Sequence, residues 1–474
     1  MIDHQSSISE AGRRLRDRST TATELVTRAF ERIDELEPVF HAFISHNREA
    51  ALERASALDA ELQSGTDRGP LQGIPVALKD NIATASLPTT FGSRIGRGFM
   101  ADADATVVRR LTEAGAIVVG KNNMHEFALG PTNINAEYGD VPNPWNLDRV
   151  PGGSSGGSAV AVAIGEVFAA LGSDSGGSVR MPAAMCGLVG LKPTHGRVSL
   201  RGLLGGAPTM DHIGPMTRTV EDAAIVHDAI AGHDPADPES LPGQAPPVTR
   251  GLEAGVEGLR IGLMANRSMG PLRADIGEKV KEAATRLGAA GAKLRELTVD
   301  GVEMAPYSAV AVAYPEVGAA HREWIRRRRN EYAADIRPLV DLGQIFSAGQ
   351  YILAQRFRRH LLRRLDAALE GFDMLALPTT AVTAGRRDGS IEALEGDSGE
   401  SALFTLIRFT VLFNMTGYPA ISVPCGFDDQ GLPVGIQLAG RPDSEPLLLR
   451  AARVLEKAAP WPMPDISQAA KGVA

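Results

Sequence analysis

The chain has 474 residues, and its hydrophobic fraction of 43% lets it bury a large core, as in an ordinary globular protein. The formal net charge of −8 argues against a general nucleic-acid surface, because such a surface needs a basic stripe. One short basic run, 326–329, lies in a helical pattern that also carries Glu and Tyr, and we interpret it as a solvated helix face. No nucleic-acid partner is therefore predicted.

Cysteine usage and the apolar runs predict a cytoplasmic protein. Cys186 and Cys425 lie far apart in apolar or glycine-containing surroundings, which is typical of buried free thiols in a reducing compartment. The first residues show no basic region followed by an apolar one, so no signal peptide is predicted. No apolar run reaches the ~18 residues that span a bilayer, so we expect no membrane partner.

Residues 1–65 are predicted to form a helical segment that packs on the rest of the protein. Thr21 and Glu24 have the spacing of a capping box, and apolar residues then recur at roughly helical intervals. A second helix is predicted near 47–64.

From about residue 73 the pattern changes to short apolar strands that alternate with helices such as 104–114 and 275–291. The predicted strands are 74–78, 116–119, 187–191, 258–264 and 373–378, followed by a hairpin of 420–425 and 433–439. This alternation is typical of an α/β protein with a mostly parallel or mixed sheet. Similar patterns flank the proline-rich connection 233–255, which favours one domain over residues 66–465 rather than two.

Two serine- and glycine-rich segments, 151–159 and 172–180, are the most informative part of the chain. The residues between them, 159–170, are small and apolar and predict a tightly packed helix, so the order is loop, helix, loop. Glycine permits positive φ, and a run such as Ser175-Gly-Gly-Ser178 can turn successive N–H groups toward one point. In a hydrolase such a nest is an oxyanion hole, and Asp174 is placed to brace it by accepting N–H bonds.

A serine nucleophile needs a base, and neither segment contains a histidine. A lysine can serve if burial or nearby positive charge keeps its amine neutral. Lys79 follows the apolar strand 74–78 and is therefore the candidate base.

The glycine-rich run 152–158 also has features of two other motifs. A phosphate-binding loop would end in Lys-Ser or Lys-Thr, and that ending is missing here. The run also satisfies Gly-x-Ser-x-Gly, which would make Ser155 the nucleophile of an α/β-hydrolase with a distant histidine. That alternative leaves Lys79 and Ser178 unexplained.

Several long motifs resemble those of the amidase signature family over about residues 20–460. They are 73–81, 143–159, 172–180 and 182–194, with flanking matches at 214–218 and 417–424. The resemblance implies a large mixed β-sheet covered by helices on both faces, with the signature core at about 73–220. It also implies that Ser178 is the nucleophile, that Ser154 bridges it to Lys79, and that the peptide bond at Ser154 is cis.

Further site residues are expected around this Ser-Ser-Lys triad. The backbone N–H groups of Ser175, Gly176, Gly177 and Ser178 are the predicted oxyanion donors. Asp174, Ser155 and Arg180 are predicted to support the site, and Met124, Gly153 and Phe413 to contact substrate. No metal or cofactor is expected, since no Cys/His cluster has zinc spacing.

Within the family we predict a stand-alone amidase that cleaves a small aryl or alkyl carboxamide through an acyl-serine intermediate. The rival is the A subunit of glutamyl-tRNA(Gln) amidotransferase, which the serine core also resembles. Two departures count against it: the helix motif at 347–354 differs, and Ile407 stands where an Asp would meet the amine of glutamine. Esters or carbamates could be cleaved by the same mechanism. The remaining alternative is a scaffold protein that has this fold without catalytic activity. A homodimer is compatible with the sequence.

Overall fold

The computed structural model describes residues 6–264, 269–388, 390–391 and 401–467. Eleven strands in these residues form a single sheet. The strands are β1 Phe43–His46, β2 Pro75–Lys79, β3 Ile117–Asn122, β4 Ala169–Ser173, β5 Val189–Lys192, β6 Ile213–Thr217, β7 Arg260–Met264, β8 Lys293–Leu297, β9 Met374–Pro378, β10 Ala420–Phe427 and β11 Pro433–Ala439.

Fifteen α-helices accompany the sheet in the same described ranges. They are α1 Ile8–Arg16, α2 Ala22–Phe40, α3 Arg48–Gln63, α4 Thr106–Glu113, α5 Gly156–Ala163, α6 Arg180–Cys186, α7 Val220–Ile230, α8 Ala274–Ala289, α9 Ala305–Ala320, α10 Arg322–Arg328, α11 Arg337–Ile345, α12 Ala348–Ala368, α13 Ala402–Ile407, α14 Val411–Thr416 and α15 Glu445–Ala458.

The sheet is mixed, with the order β1-β3-β2-β4-β6-β5-β10-β11-β9-β7-β8. Strand β2 pairs in parallel with β3 and with β4, and β7 pairs in parallel with β8 and with β9. The other pairs are antiparallel, including the predicted β10–β11 hairpin. The α/β class and the mixed sheet that the sequence predicted are confirmed.

Strand β9 shows why helices cover both faces of the sheet. Successive side chains of a strand point to opposite faces, and all of β9 is buried. Leu375 and Leu377 belong to the apolar cluster that contains residues of α9 and α12. Met374 and Ala376 belong to the cluster formed with α8 and α15. Two apolar layers therefore sandwich this part of the sheet.

The N-terminal segment packs on the sheet through one apolar cluster that also contains residues of β2 and β3. The predicted capping box is confirmed, because the Thr21 hydroxyl accepts from the Glu24 amide and the Glu24 side chain accepts from the Thr21 amide. The segment is not wholly helical, since β1 joins the sheet edge antiparallel to β3. Because β1 has only four residues, it is too short to show the alternation of apolar and polar residues that predicts a strand. Residues 1–5 lie outside the described residues.

The predicted helix at 159–170 is wrong in its second half. Helix α5 ends at Ala163, and Ala169–Ser173 forms β4 between β2 and β6. Alanine and glycine dominate both elements, so composition does not separate a buried helix from a buried central strand. Strands β6 and β8 were also missed, and β8 is polar because it is a partly exposed edge.

Three smaller expectations can be compared with the structure. Cys186 and Cys425 are free and buried, and burial raises the pKa of both thiols. Arg326 and Arg327 are exposed and pair with Glu323 on the same helix, as a solvated face requires. Among the described residues, every helix is too short or too polar to cross a membrane.

Candidate active site

The site lies where two neighbouring parallel strands end. Lys79 is the last residue of β2 and Ser173 the last residue of β4, so both reach the same edge of the sheet. Lys79 Nζ lies 2.8 Å from Ser173 Oγ and 2.7 Å from Ser154 Oγ. Asn81 Nδ2 donates a further bond of 3.0 Å to Ser173 Oγ. The amine is thereby held between two hydroxyl groups.

Lys79 is completely buried and its electrostatic setting is unusual. Burial lowers the pKa of its amine from 10.5 to about 7, although Asp174 and Asp211 act in the opposite direction. In the described part of the chain Lys79 forms no ion pair, whereas the equally buried Lys121 lies 3.3 Å from Asp80. The Lys79 amine therefore populates its neutral form near pH 7 and can accept a proton.

The loop before α5 presents Ser154 to this amine. The Gly153–Ser154 peptide bond is cis, which confirms the expectation drawn from the family resemblance. The backbone N–H of His125 donates to the Ser154 carbonyl at 3.1 Å. Ser155 is buried, and its hydroxyl donates to the Ser173 carbonyl at 3.1 Å. This engagement argues against Ser155 as the nucleophile.

Ser178 lies on the loop between β4 and α6 and is 9% exposed at the wall of a cavity. In the described residues no hydrogen bond joins its hydroxyl to that of Ser154. The structure thus brings Lys79 and Ser154 into contact and places Ser178 on the cavity wall. Hydrogen bonds of active sites often tighten only when substrate binds.

The loop conformation requires a glycine at position 177. Gly177 has φ of +131°, and a Cβ there would lie 2.3 Å from Thr410 Oγ1. Its N–H donates to Asp174 Oδ1 at 2.7 Å, so this amide is already engaged and Gly177 does not line the cavity. The predicted set of oxyanion donors is therefore reduced to the N–H groups of Ser175, Gly176 and Ser178.

Asp174 and Arg180 form a buried ion pair under this loop. Arg180 Nη2 lies 2.9 Å from Asp174 Oδ1, and its Nε donates to Oδ2 at 3.0 Å. Asn414 Nδ2 also donates to Asp174 Oδ1 at 2.9 Å. Burial alone would raise the pKa of Asp174, but the Arg180 charge and these hydrogen bonds hold it well below its usual range. Both residues have the contacts that a supporting role needs.

Asp211 is a site residue that the sequence analysis missed. It is buried, and its carboxylate accepts a hydrogen bond from the Ser175 hydroxyl. Burial raises the pKa of Asp211 to about 6. A single aspartate in the loop before β6 is not part of a sequence pattern that would indicate a role in the site. Its position near Ser175 is therefore visible only in the folded structure.

The cavity at Ser178 has a volume of about 330 Å³. Its wall is mostly apolar, with contributions from Met181, Met210, Ile407 and Val411. The described lining includes three titratable side chains, those of His125, Tyr314 and Asp335.

The three predicted substrate contacts are not in this wall. Met124 and Phe413 are fully buried and do not line the cavity. Gly153 is packed so closely against the backbone of Pro131 and Thr132 that a Cβ would lie 2.9 Å from each. Met124 and Gly153 lie on loops and Phe413 on α14, and all three pack into the interior behind the wall. His125, next to Met124, does line the cavity.

One carboxylate cluster in the described ranges has the spacing of a metal site: Asp275, Asp428 and Asp429. The Arg273 guanidinium lies within 2.6 Å of Asp275, 3.4 Å of Asp428 and 3.1 Å of Asp429. Arg273 thus contacts all three carboxylates, and none of them lines the Ser178 cavity.

Comparison with known proteins agrees with this geometry. A family model described as Amidase matches residues 24–449. The A subunit of glutamyl-tRNA(Gln) amidotransferase from Cyanothece sp. (strain PCC 7425 / ATCC 29141) is 38% identical over 480 residues, or 96% of this chain and 98% of that protein.

Two solved structures are similar over almost the whole chain. The peptide amidase from Stenotrophomonas maltophilia has a TM-score of 0.86 and 32% identity, covering 97% of this chain and 98% of that chain. A bacterial aryl acylamidase of the amidase signature enzymes has a TM-score of 0.89 and 27% identity, with 99% and 98% covered. The fold and site define an amide-hydrolysing enzyme. The chain belongs to the amidase signature family.

Proposed function

We propose that the protein hydrolyses small carboxamides through an acyl-serine intermediate, with Ser178 as nucleophile, Ser154 as proton relay and Lys79 as base. The observation that carries this proposal is the fully buried Lys79 amine, unpaired with any carboxylate of the described residues and 2.7 Å from the Ser154 hydroxyl. A desolvated setting of this kind keeps part of the lysine population neutral, as a base at neutral pH requires.

The reaction proceeds in two steps, acylation of Ser178 and hydrolysis of the acyl-serine ester. Ser154 passes its proton to the neutral Lys79 amine and takes the proton of Ser178, whose oxygen bonds to the amide carbon. The carbonyl oxygen becomes an anion that the N–H groups of Ser175, Gly176 and Ser178 stabilise. When the C–N bond breaks, the proton returns through Ser154 to the leaving nitrogen. Water then attacks the ester by the same relay and releases the acid.

The cavity wall favours an amide with an apolar body. Ile407, Val411, Met181 and Met210 give the acyl or amine group mostly hydrocarbon surface to contact. An aryl or alkyl amide fits this wall, and the similar solved structures include an aryl acylamidase as well as a peptide amidase. Esters or carbamates of the same shape are accommodated by the same chemistry.

A second candidate is the glutaminase half-reaction of glutamyl-tRNA(Gln) amidotransferase, because the similar curated proteins include the A subunit of that enzyme. Glutamine carries a carboxylate beside its amine. The described cavity lining contains no Lys or Arg to pair with that carboxylate, and an unpaired charge is costly to bury. The lining therefore favours the stand-alone amidase. A cytoplasmic location and action without a partner subunit stay predictions.

One experiment tests the mechanism directly. The purified protein and its Ser178→Ala variant are treated with a serine-reactive phosphonate probe and assayed for amine release from simple amides. We expect the intact protein to be labelled at Ser178, and the variant to lose labelling and about 10⁶-fold in kcat. Ser308→Ala, a serine of α9 outside the cavity lining, is the matched control and should retain labelling.

The same assay separates the two candidate functions. Ammonia release from glutamine is compared with amine release from aryl and alkyl amides by the protein alone. Efficient glutamine hydrolysis that appears only with added partner subunits would contradict a stand-alone amidase. Labelling at a residue other than Ser178 would contradict the mechanism.

A further inference from the structure

Among the described lining residues of the Ser178 cavity, Asp335, just before α11, is the one carboxylate. No Lys or Arg contributes to the described lining, and Asp335 pairs with no Lys or Arg in the described residues. Arg337, two positions further, donates instead to the backbone carbonyl of Tyr332 at 3.2 Å. The described part of the cavity wall therefore presents the negative charge of Asp335 without a Lys or Arg to pair with it.

The imidazole of His125 holds this carboxylate in place. His125 Nε2 lies 3.3 Å from Asp335 Oδ2. On the other side of the ring, the backbone N–H of Asn133 donates to Nδ1 at 3.2 Å. A backbone N–H can only donate, so Nδ1 must be unprotonated and the ring is neutral, with its proton on Nε2 directed at Asp335.

The chain makes room for this ring with a glycine. A Cβ at Gly130 would lie 2.2 Å from Cε1 and Nε2 of His125, so any larger residue would displace the imidazole. The His125 side chain is only 6% exposed, whereas 59% of the Asp335 side chain remains exposed. The packing thus fixes the His125 ring and leaves the Asp335 carboxylate accessible from the cavity.

A neutral imidazole does not cancel the charge that it orients. The hydrogen bond from His125 lowers the pKa of Asp335, so the carboxylate is ionised at neutral pH. Glu126, the neighbour of His125, is also acidic and supplies no positive charge. An ionised carboxylate beside an apolar wall is complementary to a substrate with one cationic nitrogen on a hydrocarbon body.

We propose that Asp335, held by the neutral His125 ring, is a specificity-determining residue that selects amides carrying a cationic nitrogen on an otherwise apolar body. This inference rests on the proposed amidase function of the same cavity. It assigns a substrate class that differs from glutamine, because no second, positive site for a carboxylate is present in the described lining.

The test compares amides that differ only in charge. Heptanamide and ω-aminohexanamide have nearly the same shape and differ in the charge of the terminal group. Shorter pairs of the same kind vary the distance between the amide carbon and the group that would meet Asp335. We expect the full-length protein to favour the cationic member of at least one pair by about 2–5-fold in kcat/KM, mainly through KM, as for a partly exposed ion pair. In Asp335→Asn that preference should disappear, and in Asp335→Lys it should reverse.

Asp341→Asn is the matched control, since Asp341 lies on α11 and pairs with Arg329 outside the cavity lining. It should retain the cationic preference. Equal kcat/KM for every pair in the intact protein, or a preference that survives in Asp335→Asn, overturns the inference while leaving the amidase function standing.

Binding of the same pairs to Ser178→Ala protein, measured by calorimetry, makes the inference independent of turnover. Tighter binding of the cationic members supports it, and equal binding overturns it. Absence of amide turnover in the intact protein overturns the proposed function instead, so the two failures are distinguishable.

Discussion

The Ser175 hydroxyl donates a hydrogen bond to the buried carboxylate of Asp211, which joins the loop of residues 175–178 to the electrostatic surroundings of Lys79. Ser175 lines the Ser178 cavity, whereas Asp211 lines a second cavity of about 390 Å³. Asp211 also raises the pKa of Lys79, against the larger effect of burial. One carboxylate thus acts on both the loop that carries Ser178 and the amine of Lys79.

Asp211→Asn should shift the pH dependence of the reaction. Removing this negative charge lowers the pKa of Lys79, so more of the amine is neutral in weak acid and the acid limb of kcat/KM moves to lower pH. A shift of up to about one pH unit is expected for the loss of one nearby charge. The measurement is kcat/KM against pH with a neutral aryl amide.

Asp341→Asn is the control for this shift, because it removes a carboxylate that pairs with Arg329 and does not act on the pKa of Lys79. Its acid limb should stay where it is in the intact protein. An equal shift in both variants would show that the Asp211 charge does not set the pH dependence.

Lys79 itself predicts the direction of the pH profile. Its pKa is lowered from 10.5 to about 7, and only the neutral amine can take the serine proton. The rate of acylation should therefore rise with pH and level off above about pH 7. Lys79→Met should lower this rate by about 10²–10⁴-fold, as expected for loss of a general base.

Stopped-flow measurement of amine release across this pH range checks both expectations. Thr89→Val alters a hydroxyl that contacts the other buried lysine, Lys121, and should leave the midpoint unchanged. A pH-independent rate, or full turnover in Lys79→Met, would contradict the assignment of the base.

The strands with strong apolar runs could be predicted from sequence, and β2, β3, β5, β7, β9, β10 and β11 lie at the predicted places. The contact between Lys79 and Ser154 could be predicted only through the family motifs that contain both residues. The burial of Lys79 could be predicted without them, from the apolar run that precedes it. The small residues of 159–170 could not separate α5 from β4, since alanine and glycine fit both.

Most of the cavity wall could not be predicted, because its members come from distant parts of the chain. His125, Met210 and Asp335 line one cavity only through the packing of loops and helices on the sheet. Phe413 looked like a wall residue by its apolar character, yet the same character places it in the core. Apolar residues satisfy either position, so sequence pattern does not decide between them.

The Asp174–Arg180 pair predicts a large effect on stability. Both side chains are fully buried, so removing one partner leaves a charge that neither water nor an ion pair stabilises. Asp174→Asn and Arg180→Met should each lower the free energy of unfolding by about 3–5 kcal/mol, and the double variant by less than their sum. Urea unfolding provides the measurement. Glu113→Ala, which breaks the exposed Arg109–Glu113 pair, is the control and should change stability by about 0.5 kcal/mol at most.

The same pair sets the response of stability to acid. The pKa of Asp174 is lower in the folded protein than its ordinary value of 3.8, so its contribution is fully present above that value. As the pH falls below 3.8, the unfolded state takes up a proton that the folded state resists, and the contribution is lost. Asp174→Asn should remove this part of the acid sensitivity, visible as a flatter dependence of the unfolding free energy on pH. Single variants that each change stability by less than about 1 kcal/mol would show that the buried pair does not hold the nucleophile loop.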